Sequence, residues 1–420
     1  MSSLVPDGWS EDYISEYFDF SIGGTPSRNN ELYWDANQTT SNIWVSIRDL
    51  KDKFISNSAE RISDLGVSKS NVKLLPKNTV LMSFKLSIGR LAISMIPLYT
   101  NEAIVGFIEK RPNTVDRDYL YYGLQSWNLL GEVDQAVKGA TLNKDKMSRI
   151  IGIFPPLPEQ KKIASILTSL EEVIENTQKQ IDKLQDLKKA TMNELLTKGI
   201  GHTEFKDSEL GRIPKSWEVK TLMQFSAEEK NTFVNGPFGS DLLSSEMQDS
   251  GIPVIYVQDI SEGKYLRKTS RFVTETKADA LIACNTFNGD IIVQKVGDPP
   301  AGAALFIAED RAIVTQDVIR IRVASDVQAG FVTYLLNSHW AEKEVRKIAI
   351  EGTRTRVSLT EYKQIKLPKP PMEEQVKIAS MLSSIDDMIQ IKQKRVLHKK
   401  SLKKSLMQDL LTGKLRVTVN

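Results

Sequence analysis

The residues that could support acid–base or metal chemistry are few and scattered. His202, His339 and His398 are far apart in the chain, with no cysteine or carboxylate cluster at metal-ligand spacing. Each is therefore predicted to be an ordinary exposed side chain. The one cysteine, Cys284, lies in the apolar stretch ALIACNTF and is predicted to be a small core residue. It cannot form an internal disulfide, so we expect a reducing, cytoplasmic setting.

Two short stretches come closest to catalytic motifs. Asp298–Ala301 reads DPPA, and amino-methyltransferases use Asn/Asp-Pro-Pro followed by an aromatic ring that stacks on the target base. Here the fourth residue is alanine, and no glycine-rich cofactor loop follows a strand upstream, so we interpret DPPA as a bare loop. Glu228–Lys230 has an acid-x-Lys spacing that suits a nuclease, but no Pro-Asp pair lies suitably upstream. A P-loop and a G-x-S-x-G elbow are also missing from the sequence, which therefore predicts no catalytic centre.

Bulk composition is that of an ordinary globular chain. The 420 residues predict two to three domains, with 40% hydrophobic and 26% charged residues. The sequence has no apolar run long enough for a transmembrane helix and no signal-peptide pattern at its N-terminus. The net charge of +3 says little, but residues 391–404 (IKQKRVLHKKSLKK) are strongly basic and contain no acid. That run suits a solvated helix face, a face paired with acids on a neighbouring helix, or a polyanion contact.

An internal repeat organises the chain. PPLPEQKKIAS at Pro155–Ser165 returns 215 positions later as PPMEEQVKIAS at Pro370–Ser380, and nearly half of the positions through Thr412 are identical without a gap. Fainter matches lie upstream, where VPDGW answers IPKSW, WVSIRDL answers IYVQDI, and YYGLQS answers TYLLNS. Because these offsets drift, the loops must differ in length. The chain is thus two copies of one unit, each a divergent globular part followed by a better-preserved helical part.

Each helical part has the pattern of a coiled-coil helix. The proline pairs cannot lie inside a helix but can precede one, and acids follow in the first turn. Apolar residues then recur at alternating steps of four and three, which indicates a heptad seam. The apolar seam positions are Ile163, Leu167, Leu170, Ile174, Ile181, Leu184, Ile378, Leu382, Ile385, Ile389, Leu406 and Leu410.

The middle of the second seam is polar, at Lys392 and Lys399, so either the seam is weaker there or its register shifts. Laid antiparallel, the helices could bury each other's seam, with acids of the first, such as Glu171, facing the basic run of the second. The alternative is that each helix packs on its own globular part or on another protein.

The globular parts are predicted to be mixed α/β. Short strand-like stretches such as TVLMSF, RLAISMI, IPVIYV, DIIVQKV and AIVTQDVIRIRV alternate with the turn segments IGGTPSRNN, NGPFGSD and VGDPPAG. Loops of this kind carry binding residues more often than cores do.

These motifs together resemble a known family. IGGTPSRNNELYW followed by IWVSIRDL, and NGPFGSDLLSSEMQDSGIPVIYVQDI, resemble the openings of target-recognition domains. The two proline-led helical stretches, each running to LLT, resemble the central and C-terminal conserved regions. The family is the specificity subunit of Type I restriction–modification systems, and the resemblance covers nearly the whole chain.

The resemblance implies a mixed α/β fold in which two target-recognition domains are separated by two long antiparallel coiled-coil helices, as a pseudo-two-fold internal repeat. The expected boundaries are 1–150 for the first domain, 151–200 for the central helix, 201–366 for the second domain and 367–420 for the C-terminal helix. Because the repeat is circular, we also expect the two ends of the chain to lie close together.

The resemblance also implies a subunit without catalytic activity. Each domain would read one half of a split site in double-stranded DNA, and the helices would dock two methyltransferase subunits that methylate adenine. S-adenosylmethionine, ATP and Mg are expected on partner subunits, with restriction subunits in the full complex and no cofactor on this chain. Two alternatives stay open: a stand-alone methyltransferase or nuclease, which would need an intact catalytic motif, and a coiled-coil adaptor that binds no DNA.

The DNA-contacting residues are predicted from basic, amide and hydroxyl side chains in or near the glycine-rich loops, since phosphate contacts supply affinity and base contacts supply specificity. The loops GATLNK and GTRTR precede the helices at corresponding places. The candidates are Thr25, Ser27, Arg28, Arg48, Lys85, Arg90 and Lys144 in the first domain, and Ser240, Gln258, Lys264, Lys295, Arg354 and Arg356 in the second.

Overall fold

The computed structural model describes residues 5–85, 87–129, 142–261, 263–297, 300–350 and 355–419. The chain forms two compact units, one comprising Met1–Lys179 with Lys394–Asn420 and the other Gln180–Gln393. Each unit holds a globular part of mixed sheets and helices together with one part of each of two long helices. The predicted mixed α/β class is therefore confirmed. Among the described residues, every helix is too short or too polar to cross a membrane.

The first unit is built on a five-stranded sheet. Its strands are β1 (Ser10–Tyr13), β2 (Phe18–Ile22), β3 (Ile43–Val45), β4 (Phe54–Ile55), β5 (Glu60–Arg61), β6 (Val80–Ser83), β7 (Leu91–Ser94), β8 (Tyr99–Thr100), β9 (Ile104–Glu109) and β10 (Ile151–Phe154). Its helices are α1 (Asp64–Ser68), α2 (Arg117–Ser126), α3 (Lys144–Ser148) and the first part of α4 (Leu157–Lys198). The strand order is β2-β9-β6-β7-β4, beside a smaller sheet β5-β3-β8 and the pair β1-β10.

The second unit follows the same plan with more strands. They are β11 (Phe205–Ser208), β12 (Gly211–Pro214), β13 (Glu218–Thr221), β14 (Phe233–Asn235), β15 (Ile252–Ile255), β16 (Ile260–Ser261), β17 (Lys264–Tyr265), β18 (Phe272–Val273), β19 (Asn285–Thr286), β20 (Ile291–Gln294), β21 (Ala303–Leu305), β22 (Ala312–Val314), β23 (Val318–Ile321) and β24 (Lys366–Lys369). The helices are α5 (Glu275–Ala280), α6 (Ala329–Leu336), α7 (His339–Ile348), α8 (Leu359–Tyr362) and α9 (Met372–Leu411), which ends in the first unit.

Strand order shows the repeat more clearly than the sequence does. The run β14-β23-β20-β21-β17 repeats β2-β9-β6-β7-β4, and β18-β15-β22 repeats β5-β3-β8. Even the parallel pairs recur, since β4·β7 matches β17·β21 and β3·β8 matches β15·β22. One prediction needs refinement: the stretch AIVTQDVIRIRV is two strands, β22 and β23, because a turn between them sends each half to a different sheet.

The ends of the long helices belong to the cores of the globular parts. In the first unit Ile163 and Leu167 of α4, with Leu410 of α9, are buried among Trp9, Tyr119 and other apolar side chains. In the second unit Leu195 of α4, with Ile378 and Leu382 of α9, are buried with Trp217 and Phe331. Within each unit, the long helices thus pack on the globular part and on each other.

The heptad seam holds its register through the polar middle of α9. Every predicted seam position on both helices is buried or half-buried, and Lys392, Lys399 and Lys403 are half-buried between exposed neighbours. Their aliphatic stems therefore cover the seam while the ammonium groups reach its edge. Of the two possibilities for this region, a register shift is thus excluded.

Equivalent ion pairs join the two helices in each unit, and a further contact of Lys392 with Gln180 shows that they run antiparallel in the second unit. In the first unit Lys403 of α9 binds Glu171 of α4. In the second unit Lys188 Nζ of α4 lies 2.7 Å from Asp386 Oδ1 of α9. Both lysines and both acids are related by the 215-residue offset, so the same contact is made twice. The predicted pairing of acids on α4 with the basic run of α9 is confirmed at Glu171.

Candidate nucleic-acid interface

A closely packed loop follows β2 in the first unit and carries three of the predicted residues. A Cβ on Gly23 would come 2.2 Å from the Thr100 carbonyl oxygen, so only glycine fits this close approach. Trp44 Nε1 donates to the Gly24 carbonyl at 2.9 Å, and Trp34 Nε1 donates to the Ser27 carbonyl at 3.2 Å. The two indoles thereby fix the backbone from which the exposed side chains of Ser27 and Arg28 project.

Arg28 and Arg48 converge on one carboxylate, Glu60. Arg28 Nη1 and Arg48 Nη2 lie 2.5 and 2.6 Å from its two oxygens. The Arg28 guanidinium also lies 3.7 Å from the ring centroid of Trp34, a cation–π contact. The structure thus joins two predicted residues through an acid that sequence reasoning missed. Thr25 lies nearby and donates its hydroxyl to Glu102.

The hairpin between β6 and β7 gathers Lys85, Arg90 and Lys144. Lys85 Nζ lies 5.3 Å from the Phe84 ring centroid, and the Arg90 side chain is exposed. Leu142 N donates to the Phe84 carbonyl at 3.0 Å, which brings the exposed Lys144 beside the same hairpin. The part of GATLNK before Leu142 lies outside the described residues.

The second unit repeats this hairpin cluster with different residues. Val357 N donates to the Lys295 carbonyl at 3.0 Å, as Leu142 does to Phe84 in the first unit, and Val296 bridges Arg356. Lys295 Nζ lies 5.7 Å from the ring centroid of the exposed Phe238. Lys295 therefore takes the place of Phe84, one residue before the counterpart of Lys85, and Arg356 lies next to the counterpart of Leu142. Arg354, and Asp298 and Pro299 of the DPPA stretch, lie outside the described residues.

The other predicted residues of the second unit are separate from that cluster. Ser240 is exposed in a 3₁₀ turn, Lys264 is half-buried in β17, and Gln258 is exposed in the turn after β15. Gln258 is held there by the next residue, since the buried carboxylate of Asp259 accepts amides of Tyr256, Lys268 and Thr269 at 2.8 Å each.

Sequence reasoning missed three exposed basic residues next to Gln258. Arg267, Lys268 and Arg271 lie on the segment that Asp259 ties to the Gln258 turn. The signal was present in the stretch RKTSR, which has three basic residues within five positions and no acid.

Two further expectations are corrected. His202 is not an ordinary exposed histidine, because its ring is half-buried with Nε2 2.8 Å from Glu374 Oε1. Cys284 is only half-buried at the boundary of two apolar clusters, and burial raises the pKa of its thiol.

The repeated Glu-Gln at the start of each long helix is a clamp on the globular part. Gln160 Nε2 donates to the Pro155 carbonyl at 2.8 Å, and its Oε1 accepts the Asp116 amide at 2.8 Å. Gln375 makes the matching bonds to the Pro370 carbonyl at 2.8 Å and the Gln328 amide at 3.0 Å. Asp116 and Gln328 are the N-caps of α2 and α6, so the same glutamine fixes each globular part to its helix.

The glutamate of each pair binds a tryptophan from an earlier segment. Trp9 Nε1 donates to Glu159 at 3.1 Å, and Trp217 Nε1 donates to Glu374 at 2.9 Å. Arg416 completes the first clamp with its Nη2 2.7 Å from Glu159, and its Nη1 donates to the Asp7 carbonyl. The prediction that the two ends of the chain lie close together is thus confirmed.

Matching tyrosines extend the ion pairs between α4 and α9. The Tyr122 hydroxyl donates to Glu171 and the Tyr334 hydroxyl to Asp386, both at 2.8 Å. Burial raises the pKa of both phenols, so they stay protonated as donors. The first unit adds the buried Lys53, whose Nζ lies 2.8 Å from Asp118. Burial acts to raise the pKa of Asp118, but hydrogen bonds from Lys53 and Arg117 outweigh it and leave that pKa below its usual value.

The comparisons with known proteins agree with this twofold architecture. The profile of the Type I restriction modification DNA specificity domain matches residues 6–186 and again 214–398. The MjaVIII specificity subunit of Methanocaldococcus jannaschii is 31% identical over 318 residues, which is 74% of this chain and 73% of that protein. The MjaIX specificity subunit of the same organism is 25% identical and covers 98% of this chain and 95% of that protein.

Solved structures share the fold across the whole chain. The S subunit of a Type I restriction–modification system from M. genitalium aligns with a TM-score of 0.57 and 15% identity, covering 100% of this chain and 98% of that one. A chain from a study of Type I R-M complex assembly and conformational transition aligns with a TM-score of 0.59 at 14% identity, covering 98% and 99%.

The chain therefore belongs to the Type I restriction–modification DNA specificity family. It is a specificity subunit, which recognises DNA sequence and works with other subunits that carry the catalysis.

Proposed function

We propose that each unit reads one half of a bipartite site in double-stranded DNA, within the target-recognition domains 1–150 and 201–366. The observation that supports this most strongly is the twofold use of one topology with different exposed side chains at equivalent loops. The matching hairpins carry Lys85 in the first unit and Lys295 in the second, with Lys144 and Arg356 on the segment that bonds to each hairpin. Two readers of the same shape with different chemistry suit two different half-sites.

The residues assigned to DNA contact are those predicted from sequence, with Arg267, Lys268 and Arg271 added in the second unit. Arg28, Arg48, Gln258 and Arg271 supply base contacts, since arginine pairs with guanine and glutamine with adenine, and the other exposed lysines and arginines supply phosphate contacts.

The helices 151–200 and 367–420 set the gap between the half-sites and dock two methyltransferase subunits. A continuous helix of 42 residues, such as α4, extends about 63 Å. Apolar side chains off the seam supply the docking contacts: Val173 and Leu402 in the first unit, and Leu187 and Met388 in the second, are each at least two-fifths exposed. The 215-residue offset relates Val173 to Met388 and Leu187 to Leu402, so two equivalent sites support two copies of one partner.

The docked subunits hold S-adenosylmethionine and methylate adenine at the site that this chain selects. Restriction subunits using ATP and Mg complete the assembly, with no cofactor on this chain. We assign the chain to the cytoplasm, because the assembly would act there on cellular DNA.

Two experiments test this proposal. Mapping methyladenine in DNA from cells that express this chain with its partners should give two half-sites separated by a fixed gap. Replacing residues 1–150 by those of a relative should change one half-site only. A contiguous site, or a change in both halves, would contradict the assignment of one half-site to each unit.

Stoichiometry has its own test. In native mass spectrometry, Val173→Asp/Leu402→Asp and Leu187→Asp/Met388→Asp should each lose one of two methyltransferase subunits, and all four changes together should lose both. Leu74→Asp is the control, because Leu74 is 57% exposed on the globular part of the first unit and should leave assembly unchanged. Retention of two subunits by the fourfold variant would rule out this docking surface.

A further inference from the structure

One pair of surface positions is held by equivalent backbone contacts in both units. Strand pairing aligns Trp44 with Glu60 in the first unit, and Val254 N donates to the Arg271 carbonyl at 3.0 Å in the second. Two residues before these positions, a hydroxyl lies against the strand: Ser58 Oγ is 2.8 Å from the Trp44 carbonyl oxygen, and Thr269 Oγ1, which donates to Asp259, is 3.5 Å from the Val254 carbonyl oxygen. Position 271 is therefore the structural counterpart of position 60.

The helix that follows fixes this alignment from the other side. Ser63 caps α1 by accepting the Gly66 amide at 3.0 Å, and Thr274 caps α5 by accepting the Lys277 amide at 3.1 Å. Each cap lies three residues after position 60 or 271. The segment thus has the same length and the same anchors in both units.

The neighbouring turn is equally well matched. Asp49 accepts the Ser46 amide at 2.9 Å, and Asp259 accepts the Tyr256 amide at 2.8 Å. The residue before each aspartate, Arg48 or Gln258, is exposed. Positions 48 and 258 are therefore counterparts as well.

Although these backbone contacts are equivalent, the side chains at the two positions differ between the units. Arg48 Nη2 lies 2.6 Å from Glu60 Oε2 in the first unit. In the second unit Gln258 and Arg271 line one shallow cavity of about 300 Å³ with Thr269 and Ser270. Backbone anchors have been kept while the two outward side chains differ, as a reading position requires.

We infer that positions 48 and 60 in the first unit, and 258 and 271 in the second, are the pair that determines which bases each unit accepts. This inference rests on the proposed reading of one half-site by each unit. Arg48 suits the O6 and N7 acceptors of guanine and Glu60 suits the amino group of cytosine, whereas Gln258 suits adenine and Arg271 suits guanine. Arg28 binds Glu60 from its other side and so orients that carboxylate.

Exchanging the pair tests the inference in the full chain assembled with its partner subunits. Arg48→Gln/Glu60→Arg gives the first unit the residues of the second, and methyladenine mapping reads the outcome. We expect one or two base positions of the first half-site to change, with the original base disfavoured by about 5- to 150-fold. The second half-site and the gap should stay as they are.

The reciprocal variant, Gln258→Arg/Arg271→Glu, should change only the second half-site and decides the matter if the first variant fails to assemble. Lys215→Gln/Glu204→Arg is the matched control for Arg48→Gln/Glu60→Arg, because both variants change the net charge by the same amount. The control lies at an exposed ion pair and should keep both half-sites.

Unchanged base preference in both exchanged variants would overturn the inference while leaving the proposed function intact. An altered half-site in the control would also overturn it, because net charge would then explain the effect. A wild-type complex that methylates no two-part site would instead remove the proposed function on which the inference rests.

Discussion

The glutamine clamp gives the sharpest prediction about stability. Gln375 is fully buried, and its side chain bonds the Pro370 carbonyl at 2.8 Å, the Gln328 amide at 3.0 Å and the Asp326 carbonyl at 3.3 Å. Gln375→Leu has nearly the same volume but removes all three bonds. It leaves the N-cap amide of α6 and the Pro370 carbonyl without these partners.

The size of the effect follows from those contacts. An unpaired buried polar group costs about 1–3 kcal/mol, and two of the three bonds are short enough to count in full. Added apolar contact by leucine offsets part of the loss, so we expect the second unit to lose about 2–4 kcal/mol of unfolding free energy. The matched change Gln390→Leu, at an exposed position of the same helix, should stay within about 0.5 kcal/mol.

The assay must resolve the two units, because a chain with two units does not unfold in one step. Hydrogen exchange followed by mass spectrometry at increasing urea concentration gives the opening free energy of α6 and of the first turns of α9. Gln160→Leu should produce the equivalent loss in α2 and in the first turns of α4, with the second unit unaffected. If Gln375→Leu exchanged like Gln390→Leu in α6, the glutamine would not be what holds the globular part to its helix.

Three other predictions concern individual contacts. The reversed pair Glu171→Lys/Lys403→Glu should lose about 1–2 kcal/mol less unfolding free energy than the two single changes lose together. A double-mutant cycle in urea measures this difference, and additive losses would contradict a direct pair. A hydrogen bond from the Thr40 amide lowers the pKa of Asp35 to about 2, so this carboxylate stabilises its turn fully above pH 4 and progressively less as pH falls toward 2. The Thr40 amide resonance should therefore titrate near pH 2, and a midpoint near 4 would refute the lowered value. Lys295→Ala should reduce the slope of log binding constant against log salt by about one without changing base preference, as expected for a phosphate contact; an unchanged slope would remove Lys295 from the interface.

The sequence by itself determined the features that repeat along the chain. The 215-residue offset, the proline-led helix starts and the heptad seam all depend on neighbours within a few residues, so their periodicity is visible in one dimension. The strand-like stretches indicated the mixed α/β class, whereas antiparallel packing was one of two possibilities until the resemblance to the family favoured it. The four-and-three spacing also included Lys392 and Lys399 in the seam, although the polarity of these residues left a shift of the seam register possible.

Tertiary structure alone decided which distant side chains meet. Strands of two to four residues carry too short a pattern to predict their partners, so the pairing that puts Arg271 in the place of Glu60 could not be found from drifting offsets. For the same reason AIVTQDVIRIRV read as one strand and His202 as a solitary residue. Local periodicity fixes a helix, but long-range contacts choose the partner of each exposed arginine and glutamate, and those partners make up the surface that we assign to DNA.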